Sequence, residues 1–349
     1  MTSLDYPLDI LWELLKLDAP SGDEGPTADW LEDQLARGLP DVRLERLGDS
    51  LIARRGERPT VAVFAHLDTT GWTLDHAKSL LRIGGPDGRP GDPIRPAGMP
   101  DAGNTLARRK DGSWKVKGKT TAAPGSRWVY AAVPLQEGGE IIAPYLDNRA
   151  GVWAALHVLR CCPSVAVAFT SYEETRGVGA LLCARHLSKT LGITQALIAD
   201  LTWHTKHVRC GRGVAVSLRD SCLPRQAYLD RILALAEESS LPVQREIADS
   251  GGSDGAALDC SGVPFDWVFV GAPEKGAHTV RERVQVADLQ SMAALLVHLV
   301  ETLTQIEQEY ATGVAAIHEA MEDVEAGRER PDEEYMAEHR LRFPGPAPA

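Results

Sequence analysis

The chain has 349 residues, 44% of them hydrophobic, a length that allows one large domain or a core domain with an insertion. Its 37 basic and 49 acidic residues give a net charge of −12, which argues against the positive surface that nucleic-acid binding requires. We find no signal peptide and no run of roughly 20 apolar residues, so we expect a cytoplasmic protein without a membrane span. The six cysteines lack CxxC spacing, and we expect no disulfides.

The first part of the chain predicts two helices. Leucines recur at helical spacing over residues 4–15, which is typical of an amphipathic helix. Ser21 and Glu24 stand in a capping-box relation, and this predicts that a second helix begins near Pro26.

A buried strand and a change of texture follow. The continuous apolar run at 61–65 is typical of a strand covered on both faces of a parallel sheet, and His66 and Asp68 come directly after it. Residues 72–140 are rich in Gly and Pro and contain only short alternating segments, so we expect an inserted, small β-rich domain there.

Beyond residue 140 strands alternate with helices. This alternation predicts an α/β fold, with a mostly parallel central sheet flanked by helices, formed by residues 1–71 and 141–326. Residues 327–349 are charged and then Pro-rich, which predicts a flexible tail. The predicted strands are 165–170, 196–199, 213–218 and 265–270, and the predicted helices are 152–159, 178–187, 228–238 and 286–326.

Polar residues cluster where the apolar strands end. Functional groups in such sheets gather beyond the carboxyl ends of the strands, so we expect these side chains to meet. Hydrolysis by two metal ions needs a bridging carboxylate, further His and acidic ligands, and a separate base. The candidates are His66, Asp68, Asp147, Glu173, Glu174, Asp200 and His278.

Each candidate alone has a simpler explanation. An HxD pair at a strand end is common, Glu173 and Glu174 could begin a helix, and Asp200 could cap one. His278 alone could be structural. Their joint order along the chain is what favours a metal site.

The same residues lie in segments that resemble a known family. The segments are residues 19–24, His66-x-Asp68, Leu146-Asp147-Asn148-Arg149-x-Gly151, Glu173-Glu174, residues 251–255, and His278 with Glu282. In this order they are similar to the co-catalytic dinuclear metallo-aminopeptidases, and most similar to the branch of tetrahedral-shell and glutamyl aminopeptidases. The resemblance implies a zinc-peptidase-like core, a β-rich domain that serves assembly, and a homo-oligomer.

The resemblance also implies roles for the candidates. His66 and Asp200 would hold one metal, Glu174 and His278 the other, and Asp147 would bridge both. Glu173 would be the general base that takes a proton from a water held between two divalent ions and so forms the attacking hydroxide, with Asp68 as a supporting catalytic residue. Zn²⁺ is the first choice, although Co²⁺ and Mn²⁺ suit the same ligands. The implied reaction removes N-terminal residues from short peptides.

Two other functions stay open at this point. A deacylase or carboxypeptidase of the related fold would use the same metals. A catalytically silent scaffold that binds peptides or fellow subunits would show no turnover even with metals loaded. The chain departs from the family pattern at Thr175-Arg176, before Gly177, and at residues 273–277. Both departures concern substrate specificity or assembly more than the chemistry.

Two further features of the sequence fit the site less well. His204 and His207 have HxxH spacing, but an exposed loop is the simpler interpretation. Asp254 among glycines is typical of a turn, and only its family counterpart connects it with the site.

Overall fold

The computed structural model describes residues 7–248 and 250–325. The helices are α1 Asp9–Leu14, α2 Gly25–Gly38, α3 Leu146–Cys161, α4 Val178–Leu191, α5 Gln226–Glu238, α6 Asp254–Asp259 and α7 Val286–Glu325. The strands are β1 Arg43–Leu47, β2 Ser50–Arg55, β3 Ala62–His66, β4 Gly71–Leu74, β5 Ser79–Ile83, β6 Ile94–Pro96, β7 Thr105–Arg108, β8 Trp114–Lys117, β9 Arg127–Tyr130, β10 Leu135–Glu137, β11 Glu140–Ala143, β12 Val165–Thr170, β13 Gln195–Trp203, β14 Val214–Arg219, β15 Val243–Ile247, β16 Asp266–Lys275 and β17 Glu282–Gln285. The compact unit up to Val300 contains both sheets, and α7 continues beyond it.

A large mixed sheet forms the core. Its strands lie in the order β1-β2-β12-β3-β13-β16-β17-β11-β10, and β14 pairs with β16 and β15. The four central strands, β12, β3, β13 and β16, are parallel, as is the β14–β15 pair, and the other described pairings are antiparallel. The prediction of a mostly parallel sheet therefore holds for the centre only. Apolar runs report burial on both faces, but they do not report strand direction.

The central strands are covered on both faces. Every residue of β3 and β12 is buried. Helix α3 packs against β3 and β13, and the apolar residues of α4 and α6 join those of the strands in one core cluster. This double coverage explains the continuous apolar runs in the sequence.

A second sheet lies between β3 and α3 in the chain. It has six antiparallel strands in the order β6-β9-β4-β5-β8-β7, with its own core of aromatic residues that includes Trp72, Trp128 and Tyr130. The region 72–140 is thus β-rich as predicted, although β10 joins the large sheet instead of the small one. The predicted tail, 327–349, lies outside the described residues.

The predicted capping box is wrong. Helix α2 begins at Gly25, as expected, but no side chain caps its N-terminus. The Ser21 hydroxyl donates instead to Asp68, and the Glu24 carboxylate accepts the backbone N–H groups of Gly22 and Tyr172. Both side chains serve tertiary contacts next to the candidate site.

Helix α7 has the apolar stripe that its sequence predicts. Leu289, Met292, Leu295, Leu296 and Leu299 are fully buried. The stretch Val286–Ala315 is long and apolar enough to cross a membrane, but 56% of its most apolar window is buried inside the protein. The same combination is found in core helices of soluble proteins.

Candidate metal centre

The central strands bring the candidate residues to one edge of the sheet. β3 ends at His66, and its parallel neighbour β13 carries Asp200 just beyond the paired residues Ile198 and Phe64. β12 pairs in parallel with β3 up to Thr170, and Glu173 follows three residues later. Polar side chains from three separate chain segments therefore lie at the same edge of the sheet.

Asp147 reaches this edge from the start of α3, where three contacts fix the backbone. The Asn148 side chain donates to the carbonyl of Ala199 on β13 (2.8 Å) and accepts the N–H of Gly151 (2.8 Å). The buried Arg149 guanidinium donates to the carbonyl of Leu67, just after β3. The Leu-Asp-Asn-Arg-x-Gly segment thus joins α3 to the two central strands.

A first cluster surrounds His66. Its Nε2 lies 3.0 Å from Asp147 Oδ1 and 3.6 Å from Asp200 Oδ2. Glu173 Oε2 lies slightly farther away, at 3.9 Å. His66, Asp147 and Asp200 each offer one ligand atom, and these atoms lie within 4.8 Å of one another.

A second cluster surrounds His278 and shares Asp147 with the first. His278 Nε2 lies 3.3 Å from Asp147 Oδ2 and 3.5 Å from Glu174 Oε1. Asp147 therefore presents one carboxylate oxygen to each cluster. Glu173 is a member of neither three-residue group.

The two imidazoles are oriented for ligation. His66 Nδ1 lies 3.1 Å from the backbone oxygen of Asp68, and His278 Nδ1 lies 3.1 Å from that of Gly85. A carbonyl oxygen only accepts hydrogen bonds, so each Nδ1 carries the proton. In the neutral imidazole this leaves the lone pair of Nε2 facing the carboxylates, as a metal ligand requires.

Two further acids hold the backbone behind the clusters. The Asp68 carboxylate accepts the N–H groups of Glu173 (2.9 Å) and Glu174 (3.1 Å). The Glu282 carboxylate accepts those of Asp147 (3.1 Å) and His278 (2.9 Å). The two pairs of backbone contacts position four of the candidate residues.

Burial opposes ionisation of most carboxyl groups around the two clusters. Burial raises the pKa of Glu173 to about 7 and that of Glu282 to about 8, and it raises the pKa of Glu174 and of Asp200 well above the ordinary range. Burial also acts on Asp147, but hydrogen bonds from His278 and His66 hold its pKa below the usual value.

The donor set fits a divalent cation. Burial opposes charge on His278, yet its hydrogen bond to Asp147 and the nearby Glu174 carboxylate raise its pKa to about 10, so without a metal protons supply the countercharge. Glu174 Oε1 is buried and has no hydrogen-bond partner among the described residues. Imidazole and carboxylate ligands, among them an oxygen that accepts no hydrogen bond, suit Zn²⁺, Co²⁺ or Mn²⁺.

A cavity of about 310 Å³ opens onto both clusters. Beyond the candidate ligands, its wall continues to the far end of β13 and to the β14–α6 region. The side chains of this extension include Thr202, Trp203, Asp220, Glu246 and Phe269.

Comparison with known proteins identifies the family of the chain. The sequence profile described as M42 glutamyl aminopeptidase matches residues 121–295, about half of the chain. The chain belongs to the M42 glutamyl aminopeptidase family. It is therefore a peptidase, and the family resemblance seen in its motifs is confirmed.

Relatives of the M42 chain cover most of its length. A protein of Acetivibrio thermocellus named "Putative aminopeptidase" is 21% identical over 84% of this chain and 98% of its own length. An aminopeptidase from the archaeon Desulfurococcus kamchatkensis superimposes with a TM-score of 0.75 at 18% identity, over 84% of this chain and 94% of that chain. The TET1 peptidase of Pyrococcus horikoshii gives a TM-score of 0.70 at 19% identity, over 84% and 98%.

Other residues singled out in the sequence lie outside the clusters. His204 and His207 are in an exposed segment, and His204 Nδ1 accepts the backbone N–H of Cys210. Asp254 is not in a turn: it begins α6, and its buried carboxylate accepts the Thr170 hydroxyl (2.6 Å). Arg176 is exposed.

Sequence reasoning missed several acids that surround the site. Glu274 on β16 is buried, and neither of its carboxylate oxygens has a hydrogen-bond partner among the described residues. Its only signal was the departure from the family pattern at residues 273–277. Asp220 and Glu246 had no signal, because Asp220 follows β14 and Glu246 lies on β15, and these two strands join the large sheet through β16 only in the folded protein.

Proposed function

We propose that this M42 peptidase is a metal-dependent aminopeptidase that removes N-terminal residues from short peptides. The observation that carries the proposal is the pair of His–carboxylate clusters that share Asp147. A shared carboxylate with one oxygen in each cluster is the arrangement that two neighbouring ions need.

The residues would divide between two divalent ions. His66 and Asp200 would hold one ion, Glu174 and His278 the other, and Asp147 both. Bound there, the ions would supply a Lewis acid for the scissile carbonyl and would lower the pKa of the attacking water. Zn²⁺ is the first choice, with Co²⁺ and Mn²⁺ as alternatives.

Glu173 would be the general base. Its carboxylate lies beside the first cluster without being one of its ligands, so its lone pairs stay free for a proton. Without metal, burial raises the pKa of Glu173 to about 7. Bound cations would lower this pKa and favour the ionised carboxylate, which can take a proton from water and then give it to the leaving amine. Asp68 would act through the backbone as a positioning residue for Glu173.

The charge of the cavity favours an aminopeptidase over a carboxypeptidase. Among the described residues that line the cavity, none is Lys or Arg, and the acids outnumber the two histidines. A substrate ammonium group is attracted to such a cavity, whereas a terminal carboxylate lacks a partner there. A silent scaffold would not need the free carboxylate of Glu173 beside the clusters.

Peptides with free and acetylated N-termini test this proposal. The protein is incubated with each set after loading with Zn²⁺, Co²⁺ or Mn²⁺ and after chelation, and the products are identified by mass spectrometry. We expect stepwise loss of residues from free N-termini only, and only with metal. Cleavage of the acetylated peptides would favour the deacylase or carboxypeptidase, and no cleavage would favour the scaffold.

Assembly and location form a second part of the proposal. We propose a catalytic domain of residues 1–71 and 141–326, an assembly domain of residues 72–140, and a cytoplasmic homo-oligomer. The TET1 peptidase of Pyrococcus horikoshii can assemble into a tetrahedron or a large octahedral shell, which supports an oligomer here. Light scattering after size-exclusion chromatography tests the oligomer, and a monomeric mass would contradict it.

A further inference from the structure

We infer that the cavity beside the metal centre selects substrates whose N-terminal residue has a cationic side chain, lysine or arginine. This inference rests on the proposed aminopeptidase function and names its substrate class. The residues that would select the side chain are Glu246 and Asp220, which the proposed chemistry does not use.

The cavity extends from the clusters along β13. Asp200 and Thr202 are two residues apart on this strand, so their side chains lie on the same face, roughly 7 Å apart along the strand. Both line the cavity. The Thr202 hydroxyl donates a short hydrogen bond to Glu246 Oε1. The Glu246 carboxylate therefore lies next to Thr202, one two-residue repeat of the strand beyond the candidate ligand Asp200. This separation is comparable to the length of the four-carbon stem of lysine.

A second carboxylate lies in the same extension. Asp220 follows β14, and its oxygens accept the N–H of Cys222 (2.6 Å) and the hydroxyl of Ser253 (2.9 Å). These neutral donors fix the carboxylate in place without neutralising its charge. Asp220 and Glu246 are each only 8% exposed.

No described Lys or Arg side chain forms an ion pair with these two carboxylates. Neither Asp220 nor Glu246 forms an ion pair in the described part of the chain, and no described Lys or Arg lines the cavity. Arg219 donates Nε to the backbone oxygen of Asp220 (3.4 Å) and is not among the lining residues. Two buried acids without a countercharge favour a ligand that brings one.

The remaining wall suits the apolar stem of such a side chain. Phe269 is buried, and Trp203 is 47% exposed and lies against Gly251. A lysine or arginine stem can pack along these rings while its charged end reaches the carboxylates. A glutamyl side chain would bring a third negative charge to the same place, so the cavity predicts a preference opposite to the one in the family's name.

Substrates that differ in one group test the inference. We would measure kcat/KM for otherwise identical peptides that begin with lysine, arginine, norleucine or glutamate, each with a free N-terminus and with metal-loaded protein. Norleucine has the stem of lysine without its ammonium group. We expect lysine and arginine to exceed norleucine by about tenfold or more, and glutamate to be the poorest substrate.

Variants identify the residues responsible. Glu246→Gln and Asp220→Asn keep the size of the side chain and one acceptor oxygen but remove the charge, and we expect each to lower the lysine-to-norleucine ratio and the double variant to bring it near unity. Glu238→Gln, at an exposed position at the end of α5, is the matched control and should leave the ratio as in the wild type. Metal content and circular dichroism check that each variant is folded.

Binding to the unaltered protein gives an independent measurement. Isothermal titration of metal-loaded wild type with L-lysine and with L-norleucine should show tighter binding of lysine. Equal binding, or cleavage of norleucyl or glutamyl peptides as fast as lysyl peptides, would overturn the preference and leave the aminopeptidase function intact. Absence of cleavage of every free N-terminus would overturn both.

Discussion

Asp68 Oδ1 accepts a hydrogen bond of 2.9 Å from the backbone N–H of Glu173. The other oxygen of the same carboxylate accepts the N–H of Glu174 (3.1 Å) and the Ser21 hydroxyl (2.5 Å). One buried acid thus fixes the loop that carries both the proposed base and a proposed ligand. Sequence spacing connected Asp68 with His66, two residues away, whereas its carboxylate acts on residues more than a hundred positions later.

Replacing Asp68 by Asn tests this positioning role. The amide can accept only one of the two N–H groups, so the loop should shift and the proposed base should lose its alignment. We expect activity or metal affinity to fall by about 10- to 100-fold, the usual effect of losing a partner behind a metal ligand. The measurements are kcat/KM and metal content. Asp101→Asn, at an exposed turn where Asp101 accepts one N–H from Gly103, is the control.

The two adjacent glutamates should respond differently to the same substitution. Glu173→Gln removes the proposed base but no proposed ligand, so turnover should fall by about 10²- to 10⁴-fold with both metals retained. Glu174→Gln removes a ligand of the second cluster and should lower metal content as well. Elemental analysis of purified protein beside kcat separates the two effects. Normal turnover in Glu173→Gln would refute the assignment of the base.

Once its metal has been removed by a chelator, the protein should become less stable as the pH rises. Burial raises the pKa of Glu173 to about 7 and that of Glu282 to about 8, above the ordinary value of 4.5. A carboxyl group with a raised pKa binds more protons in the folded state than in the unfolded state between the two values, so its folding stability falls as the pH rises through that window. The raised pKa of His278, about 10, acts in the same direction at higher pH.

Bound metal replaces these protons, so its effect should grow with pH. We expect the thermal midpoint of chelated protein to fall between about pH 5 and about pH 9, and the increase on adding Zn²⁺ to be larger at the upper end. Differential scanning calorimetry across this range, with and without metal, gives the measurement. A midpoint of the chelated protein that rises with pH would contradict the argument.

Much of the core was predictable because its signals are local. The strand at 165–170 has the predicted bounds, and the helices over 178–191 and 226–238 begin close to where their periodicity starts. The candidate ligands could be selected because they follow apolar strands in an order that resembles the family. The structure brings all of them together, and their roles stay predictions.

What failed depended on contacts between distant segments. A Ser-x-x-Glu pattern is the same whether its side chains cap a helix or, as with Ser21 and Glu24, bind residues elsewhere. Strand direction was equally hidden: the segment 213–218 was predicted as a strand, but its apolar pattern does not show that β14 pairs antiparallel with β16. Glu246 could not be placed, because its position opposite Thr202 exists only after β15 has joined the sheet through β14.

The glycine of the Leu-Asp-Asn-Arg-x-Gly segment sets how closely α3 approaches the sheet. A Cβ atom at Gly151 would lie 2.2 Å from the carbonyl oxygen of Ala199 on β13 and 2.2 Å from Asn148 Oδ1. Gly151→Ala must therefore push the start of α3, and with it Asp147, away from the strand that carries Asp200. We expect a loss of about 1–3 kcal/mol in the free energy of unfolding, together with weaker metal binding.

Urea unfolding of the chelated protein measures the first effect of Gly151→Ala, and titration with Zn²⁺ measures the second. Gly38→Ala is the matched control, because no atom lies within 4 Å of the Cβ position at this helical residue. That control should keep wild-type metal binding and unfold no more easily, since alanine favours a helix more than glycine does. If Gly151→Ala behaved like Gly38→Ala, close approach of α3 to β13 would not be what positions Asp147 between the two clusters.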